Sequence, residues 1–190
     1  MTVEEKKSKL RAEMYARLKC QDAALREQAS REICWHICQS AAWAEAGLIL
    51  FYAALPTEPD LSVLFLEALR LGKKCVFPRV RGNELDLYSV TGLTDLKKGA
   101  YGIMEPVTDN RVKADDVGLA LVPGLAFSKR GLRLGKGKGF YDRLLPAIRG
   151  RTAGCCFAFQ LEPELPVLEH DAVVELLVTE DGMVVTSDIS

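Results

Sequence analysis

The sequence predicts a single α/β domain over residues 1–190, a three-layer α/β/α arrangement around a mixed, mostly parallel sheet. Three observations predict it. Short apolar runs at 48–53 (LILFYA), 119–122 (LALV) and 154–159 (GCCFAF) have the length and continuity of strands buried on both faces. Stretches with helical spacing of apolar residues alternate with such runs, as the crossovers of a parallel sheet require. A late Asp181-Gly182 pair between two apolar runs signals a hairpin, which makes the sheet mixed.

Taken in order, residues 3–19 are rich in good helix formers, and Leu10, Met14 and Leu18 form an apolar stripe. Lys7 and Arg11, four apart, share a face of that helix. Asp22 is placed to cap a second helix over 23–41, with Leu25, Ala29, Ile33 and Ile37 turned inward. The strand at 48–53 ends in a polar turn, Pro56-Thr57-Glu58-Pro59-Asp60. Open α/β sheets bind ligands beyond the carboxyl ends of their strands, so Glu58 reads either as a ligand contact or as an exposed turn acid. Asp60 can cap a helix over 61–71 that stops at Gly72. Residues 74–78 and the alternating 84–90 read as two further strands. Residues 97–106 (KKGAYGIMEP) read as irregular, with an aromatic and an isoleucine that either wall a flat ligand or tuck under the domain edge. Beyond the run at 154–159, Pro163 and Pro166 interrupt the chain, and residues 173–179 and 183–186 form the hairpin.

Composition sets the class. Of 190 residues, 48% are hydrophobic and 27% charged, the balance of a soluble globular domain. A formal net charge of −1 argues against a nucleic-acid binder. No apolar run nears the roughly 18 residues of a membrane span, and the charged opening MTVEEKKSKLRAEM lacks a signal peptide's apolar core. The expectation is a cytoplasmic monomer whose partners are small molecules, with no nucleic acid and no membrane. Six cysteines contain no C-x-x-C pair and read as free thiols rather than a zinc site or disulfide framework.

The chain is organised around residues 121–145, LVPGLAFSKRGLRLGKGKGFYDRLL. A buried strand leads through Pro123-Gly124 into a loop with glycines at 131, 135, 137 and 139. Residues 129–143 carry six cations (Lys129, Arg130, Arg133, Lys136, Lys138 and Arg143) and one acid, Asp142. Alternating Gly and Lys cannot pack a core. Glycine lets the backbone approach a ligand, successive N–H groups form an anion-binding concavity, and lysine supplies point charges suited to phosphate. A helix over 140–145 would add the partial positive charge of its N-terminus. The spacing matches neither the P-loop nor the G-x-G-x-x-G dinucleotide fingerprint. The residues favour phosphate or nucleotide binding over a merely solvated basic loop.

The same residues carry a resemblance. Pro123-Gly124-Leu125-Ala126-Phe127, followed by Gly131-x-Arg133-Leu134-Gly135-x-Gly137-x-Gly139-Phe140-Tyr141-Asp142, resembles the signature of the 5-formyltetrahydrofolate cyclo-ligase family. Tyr101-Gly102-Ile103-x-Glu105-Pro106 and His170-Asp171 are weaker matches. The chain departs from the family's usual pattern at Ser128, Phe140 and Glu175, where Asp, Tyr and Asp are common, and its Lys136 and Lys138 are a basic variant.

The resemblance implies a three-layer α/β fold and an enzyme that uses ATP as co-substrate, with Mg²⁺. It would convert 5-formyltetrahydrofolate to 5,10-methenyltetrahydrofolate, releasing ADP and phosphate through a phosphorylated formyl intermediate. Residue by residue, it implies that Lys7 and Arg11 reach the nucleotide phosphates. Arg133, Leu134, Gly135, Lys136, Gly137, Lys138, Gly139, Phe140 and Tyr141 would wrap them, with Arg133, Lys138 and Tyr141 catalytic. Asp142 and Asp171 would hold the metal. Ala53 and Glu58 would bind the folate, with Tyr101, Ile103 and Phe140 flanking its pterin. Read without the resemblance, Asp142 can equally belong to a helix's first turn, Asp171 to a turn, and Lys7 and Arg11 to the surface. A non-catalytic folate or nucleotide binder and a sugar-phosphate isomerase are the alternatives.

Overall fold

The computed structural model describes residues 1–169 and 171–186; His170 and residues 187–190 lie outside them. Helix α1 (Val3–Cys20) starts at a capping box in which Thr2 Oγ1 accepts from Glu5 N and the Glu5 carboxylate accepts from Thr2 N. Its Met14 and Leu18 are buried as the stripe requires, and so is Lys7. Asp22 caps α2 (Ala23–Cys38) as expected. That helix stops short of residue 41, because Ser40 Oγ accepts from Trp43 N and starts a separate α3 (Ala41–Glu45). Ile33 and Ile37 are buried, but Leu25 is 62% exposed. The first α2 residue packed on the core is Ala29, so the opening turn overhangs it.

Strand β1 (Leu48–Leu50) is shorter than the apolar run. Its ladder ends where Phe51 N donates to Val76 O, and the chain then turns through 55–58. Helix α4 (Ser62–Arg70) starts one residue later than expected, with Asp60 Oδ1 accepting from Ser62 N at 2.9 Å. Strands β2 (Lys74–Arg81) and β3 (Glu84–Ser89) pair antiparallel to the very turn, which extends β2 three residues past the expected end. The segment expected to be irregular forms a small ribbon, β4 (Leu96–Lys98) with β5 (Met104–Pro106). Next come β6 (Arg111–Val112), β7 (Leu119–Pro123), the short pair β8 (Ala126–Phe127) and β9 (Arg133–Leu134), and α5 (Phe140–Leu144). Strand β10 (Arg151–Cys155) begins before the run at 154–159, because its register against β7 matches Arg151 to Leu119 and Cys155 to Pro123. The expected hairpin is β11 (Leu176–Thr179) and β12 (Gly182–Val185).

The main sheet runs β12-β11-β10-β7-β1-β2-β3-β6. Its five central strands, β11 to β2, are parallel, and the antiparallel pairings lie toward its two edges. The α/β class with a mixed, mostly parallel sheet is therefore as the sequence predicts. One face packs against α1 to α4, through Met14, Ile33, Ile37, Trp43 and Phe65. The other packs Leu50, Val76 and Leu87 against Leu144 and Leu145 around α5. Phe51, Phe65 and Phe77 meet at 5.2–5.7 Å between centroids and tie α4 to the sheet. Each such buried ring stabilises by about 1.5–3 kcal/mol. No helix among the described residues is long and apolar enough to cross a membrane.

This topology places the site. Strands β1 and β7 are neighbours, yet the chain leaves β1 toward β2 and leaves β7 toward β10, on opposite sides. Such a reversal opens a crevice at the strands' carboxyl ends. The Glu58 turn follows β1, and the Gly-Lys loop follows β7.

Candidate active site

A cleft of about 360 Å³ occupies that crevice. Of the residues singled out in the sequence, Ala53, Glu58, Tyr101, Ile103, Arg133, Gly135, Lys136, Lys138, Gly139, Phe140 and Tyr141 line it. The cationic loop forms one side. An apolar wall, including Pro78, Val80, Ile103 and Phe140, forms much of the rest.

The loop is structured rather than loosely solvated. The β8–β9 pair folds Arg133 inward until its side chain is 4% exposed. Its Nη2 donates to Asp142 Oδ1 at 2.8 Å, and its guanidinium lies 5.4 Å from the Tyr141 ring centroid. Arg133 Nε is the one buried side-chain polar atom among the described residues without a partner. Ser128, in place of the family's usual Asp, is buried and accepts from Arg130 N through Oγ, so the turn is still supported. Glu175 pairs with Arg151 at 2.9 Å. The helix after the loop has only five residues and no side-chain cap. The charge expected from its N-terminus is correspondingly small, and the loop's own cations dominate.

Helix α1 braces the loop from outside the cleft. Arg11 Nε donates to Gly135 O at 3.0 Å. One turn earlier, Lys7 Nζ lies 2.7 and 2.5 Å from the two oxygens of Asp171, and Asp171 Oδ2 also accepts from Leu168 N. Leu134 turns its side chain into the core at 2% exposure, so only its backbone is available to a ligand. Lys7, Arg11, Leu134, Gly137, Asp142 and Asp171 thus surround the cleft rather than line it.

On the opposite side, Glu58 Oε1 meets Lys136 Nζ at 2.5 Å, while Oε2 accepts from Leu55 N. Tyr101 and Phe140 approach to 6.3 Å between centroids, and Lys138 lies 5.4 Å from the Tyr101 ring. Tyr101 adopts φ +57°, an uncommon backbone state for a bulky residue that turns the tip of the β4–β5 ribbon. Burial pushes the Tyr141 phenol well above its ordinary pKa, and the charge of Glu58 adds to the shift. The phenol is therefore a neutral hydrogen-bond donor at physiological pH.

Sequence reasoning missed Tyr15 and Tyr52, and gave no site role to Glu105 of the Tyr101–Pro106 element; all three also line the cleft. Tyr15 was within reach, since it lies one turn beyond Arg11 on α1. Tyr52 donates to Pro59 O at 2.8 Å and fixes the Glu58 turn from beneath, a contact that no spacing reveals.

Of the two expected metal ligands, Asp142 fits a hard cation better as it stands. One oxygen takes Arg133 and the other has no hydrogen-bond partner among the described residues. Mg²⁺ commonly takes one or two carboxylates plus phosphate oxygens. Both oxygens of Asp171 are engaged by Lys7. No group of three metal-binding side chains occurs among the described residues.

Known proteins resemble the chain over nearly its full length. A mouse 5-formyltetrahydrofolate cyclo-ligase is 29% identical, over 96% of this chain and 97% of its own length. A probable 5-formyltetrahydrofolate cyclo-ligase of Schizosaccharomyces pombe is 28% identical over 94% and 97%. The solution structure of the Aquifex aeolicus 5,10-methenyltetrahydrofolate synthetase superimposes with a TM-score of 0.87 at 36% identity, covering 97% of this chain and 94% of that one. The model of the 5-formyltetrahydrofolate cyclo-ligase family matches residues 3–180, nearly the whole chain, loop and cleft included, and it is to this family that the chain belongs.

Proposed function

We propose that this chain closes 5-formyltetrahydrofolate to 5,10-methenyltetrahydrofolate at the expense of ATP, with Mg²⁺, releasing ADP and phosphate. The observation that carries the reading is the two-sided cleft: phosphate-type cations face an aromatic and apolar wall across one cavity. A triphosphate and a flat heterocycle can then meet end to end.

A formamide oxygen is a poor leaving group, so ring closure needs it converted to a phosphate ester. The formyl oxygen attacks the γ-phosphorus, its bond to the β–γ bridging oxygen breaks, and ADP leaves. N10 then attacks the activated formyl carbon, its proton passes to Glu58, and the C–O bond breaks to release phosphate. The product is the N5–CH–N10 amidinium. Such phosphoryl transfer needs mainly positioning and charge neutralisation.

Arg133, Lys136 and Lys138 supply that neutralisation, and Gly135, Gly137 and Gly139 let backbone N–H groups approach the phosphates. Lys7 and Arg11 approach from α1. Leu134 contributes backbone only. Tyr141, neutral and cleft-facing, donates to the transferring oxygen. Tyr101, Ile103 and Phe140 flank the pterin, beside Ala53. Asp142 would hold Mg²⁺ through its free oxygen, and Asp171 would join it once Lys7 turns to a phosphate. When bound, Mg²⁺ supplies charge neutralisation at the β- and γ-phosphates.

The test is spectroscopic. Purified protein with 5-formyltetrahydrofolate, ATP and Mg²⁺ should generate the methenyl chromophore and stoichiometric phosphate, and omission of ATP or chelation of Mg²⁺ should stop both. Substrate binding without either product would defeat the reading in favour of a non-catalytic relative.

A further inference from the structure

Glu105 is a second carboxylate in the cleft, and nothing in the proposed reaction uses it. It stands on β5 and lines the cavity beside Val80, Ile103, Tyr101 and Phe140. Unlike Glu58, it has no cationic partner within ion-pair distance among the described residues. Its Oε1 accepts from Val80 N at 3.3 Å, and no donor among the described residues reaches Oε2. A half-buried carboxylate beside an apolar wall is expected to have a partner, and Glu105 is one of the residues that line the cleft.

The backbone is shaped around this group. Gly99 N donates to Ile103 O at 2.8 Å and closes the ribbon. A Cβ at residue 99 would fall 2.3 Å from Glu105 Oε2 and 2.6 Å from its Cδ. Any side chain there would push the carboxylate from its seat. Val80 N thus engages one oxygen, and the bare Cα of Gly99 leaves room for the other.

We infer that Glu105 recognises a donor–donor edge of the heterocycle held between Tyr101, Ile103 and Phe140. This rests on the folate reading above and deepens it. The aminopyrimidinone edge of a reduced pterin offers a ring N–H and an exocyclic NH₂ side by side. Two carboxylate oxygens match that pair, and a carboxylate has lone pairs enough to keep Val80 N as well. Glu58, tied to the phosphate loop through Lys136, serves the formyl-bearing end, and Glu105 serves the far edge. Glu105 is a specificity residue and takes no part in the bond-making steps.

The test is equilibrium binding without ATP. Wild type, Glu105→Gln and Gly99→Ala are titrated with 5-formyltetrahydrofolate and with its analogue lacking the 2-amino group, and separately with ATP. Gln keeps the shape but turns an amide NH₂ toward a donor. The expected result is that Glu105→Gln weakens the parent ligand about thirtyfold, as loss of a charge-assisted hydrogen bond should, and the analogue less than threefold. Gly99→Ala should weaken the parent ligand in the same direction, with ATP affinity and thermal midpoint unchanged in Glu105→Gln. An equal loss on both folates, no loss on either, or a parallel loss of ATP affinity overturns the assignment. Wild type that binds the folate but forms no methenyl product defeats only the cyclo-ligase reading, since the binding ratio still decides Glu105. Wild type that binds no folate overturns both.

Discussion

Lys136 Nζ lies 2.5 Å from Glu58 Oε1, and this pair joins the loop after β7 to the turn after β1 across the mouth of the cleft. The Glu58 side chain is 7% exposed and that of Lys136 32%, so the carboxylate is sheltered while the ammonium stays open to solvent. On the proposed reading an arriving phosphate would compete for Lys136 and thereby free Glu58 for the folate. Binding of the two substrates should therefore be mutually favourable, and by linkage by the same factor in each direction. A non-hydrolysable ATP analogue with Mg²⁺ is expected to tighten 5-formyltetrahydrofolate binding about tenfold, and the folate to tighten the analogue equally. In Lys136→Met both factors should fall to about one, as read by calorimetric titration. Undiminished coupling in that variant would show that the pair plays no part.

The Arg133–Asp142 pair is asymmetric, and the asymmetry predicts unequal costs. Arg133 is 4% exposed at its side chain and Asp142 18%. Asp142→Ala leaves a guanidinium buried without its counter-charge and should destabilise by about 3 kcal/mol. Arg133→Met keeps much of the stem's volume, removes the unpartnered Nε, and leaves a carboxylate that water reaches, so its cost should be less than half of that. Both should abolish methenyl formation. Urea unfolding of the two variants checks the order, and equal losses would contradict it.

Alkaline pH should unfold the protein earlier than surface charge alone would. Burial pushes the Cys34 and Cys75 thiols from 9.0 up to about 12. Between pH 9 and 12 the unfolded chain releases these protons while the folded chain keeps them. Fewer protons are then bound in the unfolded state, and stability falls as pH rises. The urea midpoint is expected to drop steadily from pH 9 upward, with a shallower slope in a Cys34→Ala/Cys75→Ala variant. At pH 8, a thiol reagent should label exposed Cys20 at once and buried Cys34, Cys75, Cys155 and Cys156 only on unfolding.

Much of the architecture was legible because it is written locally. The apolar run at 119–122, the cap at Asp22 and the Asp181-Gly182 turn each declare an element from neighbouring residues alone. The end of β10 was not, because the apolar run continues through Cys156 and Phe157 after its pairing with β7 stops at Pro123. Only a register between distant segments sets that boundary. The site divides the same way. Gly-Lys alternation announces an anion loop, yet a basic run gives no sign that Arg133 is buried, since the β8–β9 pair does that. Glu105 belongs to a quoted family element, but nothing in that element gives it a role until Val80, 25 residues earlier, is folded beside it.

Two glycines of the loop should fail in different ways when replaced by alanine. Gly131 has φ +80°, and a Cβ there would fall 2.1 Å from Val174 O, a backbone atom held by the hydrogen bond that Gly131 O accepts from Val174 N. Backbone strain and overlap both oppose Gly131→Ala, and together they should cost about 3 kcal/mol. Gly137 has φ +95°, but a Cβ there would meet only the Arg11 guanidinium, at 3.5 Å. An exposed loop can relax that strain, so Gly137→Ala should leave the thermal midpoint within a few degrees of wild type. On the proposed reading the relaxed loop would no longer present its N–H groups to the phosphates, and the KM for ATP should rise about tenfold. Thermal melts and ATP titrations of the pair separate fold support from ligand support. If Gly137→Ala lost stability as Gly131→Ala does, the residue would belong to the scaffold and not to the phosphate cradle.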